Sequence, residues 1–176
     1  MKKAKLVTGA LLVIVISACV GYQATEWKVR DNYSVKVFRN QQLQFPIVFK
    51  GLKAVILFDK ENPENSKISA TIDATTVDTG NPSMTEHARE EDVLNTEKFK
   101  EITFQSTAVK KTTTGYEVTG DFTLKGITKQ ITFPFTFEKE TFIGEFTIAA
   151  ADFKITREGA VPSGQIRIEL NIPVTK

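Results

Sequence analysis

Few residues in this sequence could do covalent or acid–base chemistry. Its 176 residues include one cysteine, Cys19, and one histidine, His87. Nucleophilic hydrolysis needs a nucleophile, a base and a third group that orients the base. A single imidazole in a polar, charged stretch does not supply that set. Two readings of His87 stand: a solvated or locally hydrogen-bonded side chain, or a polar group at the mouth of a pocket. Glu90, Glu91 and Asp92 follow it, but adjacent helix positions fan out around the axis, so the run reads as a solvated face. Structural zinc takes thiolates and imidazoles, which this chain lacks in number. No glycine-rich phosphate loop is present. Gly80 reads as a turn residue, and Gly120 as a strand glycine marking a bulge or a close backbone approach. The expectation is no catalytic residue, no metal ligand and no cofactor, in a chain that is not an enzyme.

Cys19 has a different context. Lys2, Lys3 and Lys5 precede an apolar run from Leu6 to Ala18, broken only by Thr8, Gly9 and Ser17. Crossing the hydrocarbon core takes roughly 20 apolar residues, more than this run offers. A basic start followed by a short apolar segment is the pattern of a signal peptide. The run ends in Ile16-Ser17-Ala18-Cys19, which looks like a bacterial lipobox with Ile16 where leucine is commonest. Small residues let the backbone lie in a peptidase cleft, and the thiol accepts a diacylglyceryl group. An ordinary secretory signal with a chance cysteine is the alternative, and a lone cysteine can also pair between chains. One acyl chain anchors only marginally, whereas two hold stably. The expected organisation is a signal peptide over 1–18, a lipidated Cys19 with a short tether over 19–26, and one domain over 27–176.

Cleavage before Cys19 leaves 158 of the 176 residues, enough for one domain with a sizeable core. The three leader lysines go with it, so 23 basic residues fall to 20 against 21 acidic ones. The basic pI of the whole chain therefore belongs to the leader. No dense Lys/Arg cluster marks the remainder, and nucleic acid is not an expected partner.

The elements that must position any site are strands. Within Gln130–Phe137, the residues Ile131, Phe133, Phe135 and Phe137 share one face. Tyr116, Val118, Phe122 and Leu124 do the same, as do Ile166, Ile168, Leu170 and Ile172. A period of two gives each strand one apolar and one polar side. Further strands are expected at Tyr33–Phe38, Gln44–Phe49, Val55–Phe58, Lys67–Val77, Ile102–Val109 and Phe142–Ala149. Pro134 has no N–H for a ladder, which predicts a bulge or a partly open edge there. Ser83-Met84-Thr85-Glu86 has the form of a capping box, predicting one short helical insertion over 83–95. Gly115, Gly126 and Pro162-Ser163-Gly164 mark turns. Many short strands with one helix suggest an all-β barrel or sandwich. All 13 Phe residues follow Cys19; they either fill a core or line a cavity.

Several segments together resemble the YceI family. They are Thr71-Ile72-Asp73-Ala74-Thr75-Thr76-Val77-Asp78-Thr79-Gly80-Asn81, the strand Ile102-Thr103-Phe104-Gln105-Ser106-Thr107 behind Phe99, and Gly120-Asp121-Phe122-Thr123-Leu124-Lys125-Gly126-Ile127-Thr128-Lys129. Asp152-Phe153 falls near a late family motif, and the resemblance runs from about Trp27 to Lys176. Departures are Tyr33-Ser34 for the family's His-Ser, Glu101 for a proline, Ala150 for an arginine and Lys154 for a glycine. The resemblance implies an extended antiparallel lipocalin-like β-barrel with a long hydrophobic channel, exported, and binding a polyisoprenoid or related amphiphile.

On that basis Phe104, Tyr116, Phe122, Phe133 and Phe135 are the candidate channel residues, with His87 at a pocket mouth. The expected protein is a lipoprotein held in the bacterial envelope through Cys19, with Val20 after the cysteine favouring the outer membrane facing the periplasm. Its expected partners are the membrane and an isoprenoid or other amphiphilic lipid, with oligomeric state left open. The alternative is an envelope interaction or stress-related module whose barrel is filled and takes no small ligand.

Overall fold

Apolar residues on alternate positions make ten strands among the residues that the structure, a computed structural model, describes: 24–39, 46–157 and 164–176. The leader, Cys19, most of the tether, positions 44–45 of one expected strand, and Pro162-Ser163 lie outside them. The strands are β1 (Thr25–Val29), β2 (Ser34–Phe38), β3 (Ile47–Val48), β4 (Lys53–Phe58), β5 (Lys67–Asp73), β6 (Glu101–Lys111), β7 (Tyr116–Leu124), β8 (Ile127–Glu138), β9 (Thr141–Ala149) and β10 (Gln165–Thr175). Each neighbour pair is antiparallel, in the order β1-β4-β5-β6-β7-β8-β9-β10. Pairing of Lys28 with Thr175 and Val29 with Val174 brings β1 back to β10. The result is a closed eight-stranded barrel, all-β with one short helix, as the resemblance implies. β10 gives the rest of its edge, Arg167–Asn171, to β2, and β3 extends β2.

Three local features differ from the sequence expectation. β1 starts inside the expected tether: Thr25 and Glu26 pair with Phe58 and Leu57. The helix, α1 (Pro82–Arg89), is capped by Asn81, whose side-chain oxygen accepts from Met84 N at 3.1 Å. Pro82 occupies a first-turn position where no backbone donor is needed, so the start lies ahead of Ser83. The helix stops at Arg89 rather than 95 because Glu90 turns extended, with ψ of 164°. The chain then turns back at Asn95, which has a positive φ of 51° and its amide 2.8 Å from Glu90 O. This turn buries Leu94 beside Ala88. Finally, the expected Lys67–Val77 strand ends at Asp73, whose carboxylate accepts from Thr75 N and Oγ1 and starts a 3₁₀ turn over Ala74–Thr76.

Two irregularities shape the barrel wall. Thr107 is an extra residue in β6, since Ser106 pairs with Gly120 and Ala108 with Thr119. The bulge shifts the phase, so Phe104 before it and Val109 after it both face inward. The second irregularity is a seam. β8 pairs with β7 from Ile127 to Phe135, but with β9 only from Phe135 to Glu138. Pro134, the first residue past that short ladder, cannot donate, and it marks the partly open edge its chemistry predicts. Beyond it the stacked rings of Phe133 and Phe146, 4.7 Å apart, span the two strands.

Candidate functional site

The barrel encloses a cavity of about 180 Å³. Its walls come from the inward positions of nearly every strand, and among the described residues Thr103 is the sole polar one in the lining. Small residues create the space. Ala54 and Ala70 stand opposite each other in the β4–β5 ladder, and Gly144 of β9 lines the same cavity. Large rings bound the remainder. Gly120 is required by one of them, because a Cβ there would lie 2.6 Å from the Phe104 ring and 2.5 Å from Gln105 O. The volume is close to the ~150 Å³ of a dry cavity that holds one benzene.

Phe104, Phe122, Phe133 and Phe135 line this cavity. Tyr116, grouped with them from the sequence, lies outside the lining. It faces inward at the start of β7, stacks on Phe135 with centroids 5.3 Å apart, and donates its hydroxyl to Lys60 O at 3.1 Å. A phenol must keep a polar partner, which holds Tyr116 at the barrel end. Burial, then the charges of Glu61 and Asp59, push its pKa above the ordinary tyrosine value. Phe49, Phe142 and Phe146 also line the cavity; the first lies beside the short β3 and the other two in an expected strand. The Ala and Gly positions carry no sequence signal beyond their small size.

The two ends of the barrel differ. At one, Phe58 is 2 % exposed and packs edge-on against Tyr116, Phe137 and Phe142, with Trp27 against Phe137 behind them. At the other, Phe49 and Val37 belong both to the barrel cavity and to an outer pocket of about 350 Å³. That pocket is apolar inside, with Val77, Leu94 and Ile155, and has His87, Arg39 and Arg157 at its boundary. His87 is therefore beside a pocket but outside the barrel. Its Nδ1 lies 2.7 Å from Glu90 Oε1. Arg157 donates to Glu90 and, at 3.0 Å, to Asp92 Oδ1. The hydrogen bond to His87, then the hydrogen bond and charge of Arg157, hold the Glu90 carboxyl below the usual range. Among the described residues, no three His, Cys, Asp or Glu side chains converge as a metal site would need.

The segment Thr71–Asn81 holds the outer pocket together through its turns. Thr76 Oγ1 bonds both the amide and the carbonyl of Lys50. Asp78 pairs backbone to backbone with Val48, its carboxylate accepts from Gly80 N, and Asn81 caps α1. These polar residues serve the backbone, leaving the apolar lining to their neighbours. Gly126 is similarly structural: with φ at +70° it closes the β7–β8 hairpin, and a Cβ would lie 2.6 Å from the Phe99 ring.

Comparison with known proteins agrees with this architecture. Residues 27–174 match the YceI-like domain. Protein YceI of Escherichia coli O17:K52:H18 is 32% identical over 148 residues, covering 77% of this chain and 78% of that protein. The crystal structure of Burkholderia cenocepacia BcnA superposes with a TM-score of 0.72 at 22% identity, over 82% of this chain and 95% of that one. A domain from Saccharophagus degradans, described as polyisoprenoid binding and implicated in plant cell wall breakdown, gives 0.54 at 12% identity, over 83% and 95%. The chain belongs to the YceI-like family.

Proposed function

We propose that this protein binds the chain of an isoprenoid or related apolar amphiphile inside its barrel, while a lipidated Cys19 tethers it to the outer membrane on the periplasmic side. The observation that carries the binding reading is the barrel cavity of about 180 Å³, whose lining among the described residues is apolar apart from Thr103. Such a site recognises a ligand by removing it from water, at ~25 cal/mol per Å² of apolar surface. It offers nothing to polarise or attack a substrate, so the reading is of binding rather than catalysis. Kinship with a fold that includes a domain described as polyisoprenoid binding supports the choice of ligand class. His87 and Arg157 line the outer pocket, which supports reading that side as the one where the polar end of an amphiphile emerges.

The test is to purify a form that begins after Cys19, extract it with organic solvent and analyse the extract by mass spectrometry. One apolar chain per protein is expected. No lipid, together with no binding of N-phenyl-1-naphthylamine by the extracted protein, rejects the reading. The anchor is tested separately: Cys19→Ser should abolish labelling by radiolabelled palmitate and release the protein from membranes, and labelling that persists refutes it.

One observation favours the second reading, a filled barrel that acts through its surface. The cavity is smaller than the ~300–1,000 Å³ usual for ligand pockets. That reading predicts no displaceable apolar probe and a protein partner recovered by crosslinking.

A further inference from the structure

We infer that the barrel measures its ligand: Phe135 and Phe142, braced from behind by Phe58, form a floor that stops an apolar chain entering past Phe49. The inference rests on the reading that the cavity holds such a chain.

The asymmetry of the two ends carries it. Phe135 and Phe142 both line the cavity, and both touch Phe58, with centroids 5.7 and 5.2 Å away. Phe58 is locked in turn by Tyr116 at 5.0 Å and Phe137 at 5.2 Å. Trp27 backs Phe137 at 4.9 Å, and its Nε1 donates to Phe58 O at 3.3 Å. Moving any one of these rings disturbs several others, so this end yields little. At the opposite end Phe49 and Val37 line both the barrel cavity and the outer pocket, so these two side chains stand between the two spaces. A chain can therefore enter at Phe49, and it meets a fixed stop at Phe142.

The volumes set the length. By the benzene comparison, about 180 Å³ holds roughly one to two isoprene units. The outer pocket, about 350 Å³, takes roughly three more on the same scale. The ligand class is thus a short prenyl chain, or the tail of a longer one, with its polar end near His87 and Arg157. Affinity should climb with chain length while added units find room, and then stop climbing.

The experiment uses the full chain carrying Cys19→Ser and follows displacement of N-phenyl-1-naphthylamine by geraniol, farnesol, geranylgeraniol and the much longer solanesol. Each step up to geranylgeraniol should tighten binding by about tenfold or more, as burying a five-carbon unit implies. Solanesol should gain less than about twofold beyond it. Phe142→Ala should open the floor, so that solanesol gains about tenfold over geranylgeraniol. Phe142→Leu, which keeps most of the packing, should shift the ratio in the same direction by a smaller factor. Continued tightening up to solanesol in the parent overturns the floor. So does an unchanged ratio in whichever variant melts cooperatively with the parent's circular dichroism. If neither the probe nor any alcohol binds, the underlying reading of the cavity falls instead.

Discussion

Ala70→Leu separates an empty ligand cavity from a filled core, because the two make opposite predictions for stability and binding. Ala70 lines the cavity and lies opposite Ala54 in the β4–β5 ladder, so this stretch of wall carries only two methyl groups. Leucine adds three carbons. At ~0.8 kcal/mol for each buried CH₂, the gain is at most about 2.4 kcal/mol. Three carbons are half a benzene, and a cavity of about 180 Å³ exceeds the ~150 Å³ that holds a whole one, so overpacking should not cancel the gain. For a domain of this size, about 2 kcal/mol raises Tm by roughly 4–8 °C. The assay is thermal melting of lipid-extracted protein, paired with N-phenyl-1-naphthylamine titration of the same samples. Tm should rise and probe affinity should fall at least about tenfold, since a probe this much larger than benzene must span the outer pocket and the barrel cavity that the leucine narrows. A lower Tm would refute the claim of empty space. Unchanged probe binding would show that the probe sits elsewhere.

Other perturbations test the architecture. Lys139 and Glu140 close the β8–β9 hairpin with φ of 47° and 56°, a conformation costing non-glycine residues about 1–2 kcal/mol each. Replacing them with Asn-Gly should raise the urea midpoint by about 1 kcal/mol equivalent, even after losing the exposed Arg30–Glu140 pair. Asn81→Ala should cost about 1 kcal/mol through the lost cap, while Ser83→Ala changes stability by less than half of that in the same urea titration. Acid should destabilise the fold. Thr75 hydroxyl and amide hold Asp73 below its usual pKa, and His87 and Arg157 do so for Glu90. Their contribution is complete above the unfolded carboxylate values of about 4 and is lost as pH falls through the lower folded ones. Asp73→Asn should flatten that acid limb in a pH series of melts. At the seam, amides of β8 and β9 that face each other past Pro134 should exchange with D₂O much faster than those of the β6–β7 ladder.

Much of the barrel was legible because its longest strands keep an unbroken period of two. β8 and β10 each place five apolar residues on one face, and no other pattern fits them. β1 was not legible. Thr25-Glu26-Trp27-Lys28-Val29 has two apolar positions, and its strand character comes from pairing with β4 and β10. The helix start was misplaced because Ser83 heads a capping-box pattern, whereas Asn81 makes the cap and Pro82 takes the first-turn position. The Phe residues of the site were legible by size and phase, but Tyr116 obeys the same phase and is drawn to the end by its hydroxyl. Ala54, Ala70 and Gly144 left no trace, since a cavity consists of missing atoms and alternation records only which side chains point inward.

This limits what the family motifs can say about ligand chemistry. The polar residues of Thr71–Asn81 are spent on turns, a backbone bridge to β3 and the cap of α1. Their joint effect is to hold β3 and α1 beside one end of the barrel, where Phe49 separates the two cavities. Gly120 and Gly126 likewise admit the rings of Phe104 and Phe99. Relatives can therefore share these motifs for the sake of the architecture while differing in what they bind. The discriminating positions should be the apolar ones the motifs do not contain: Ala54 and Ala70 for bore, Phe49 for entry, and Phe135 and Phe142 for depth. Exchanging those five residues between two relatives, with the motifs untouched, should carry ligand preference with it.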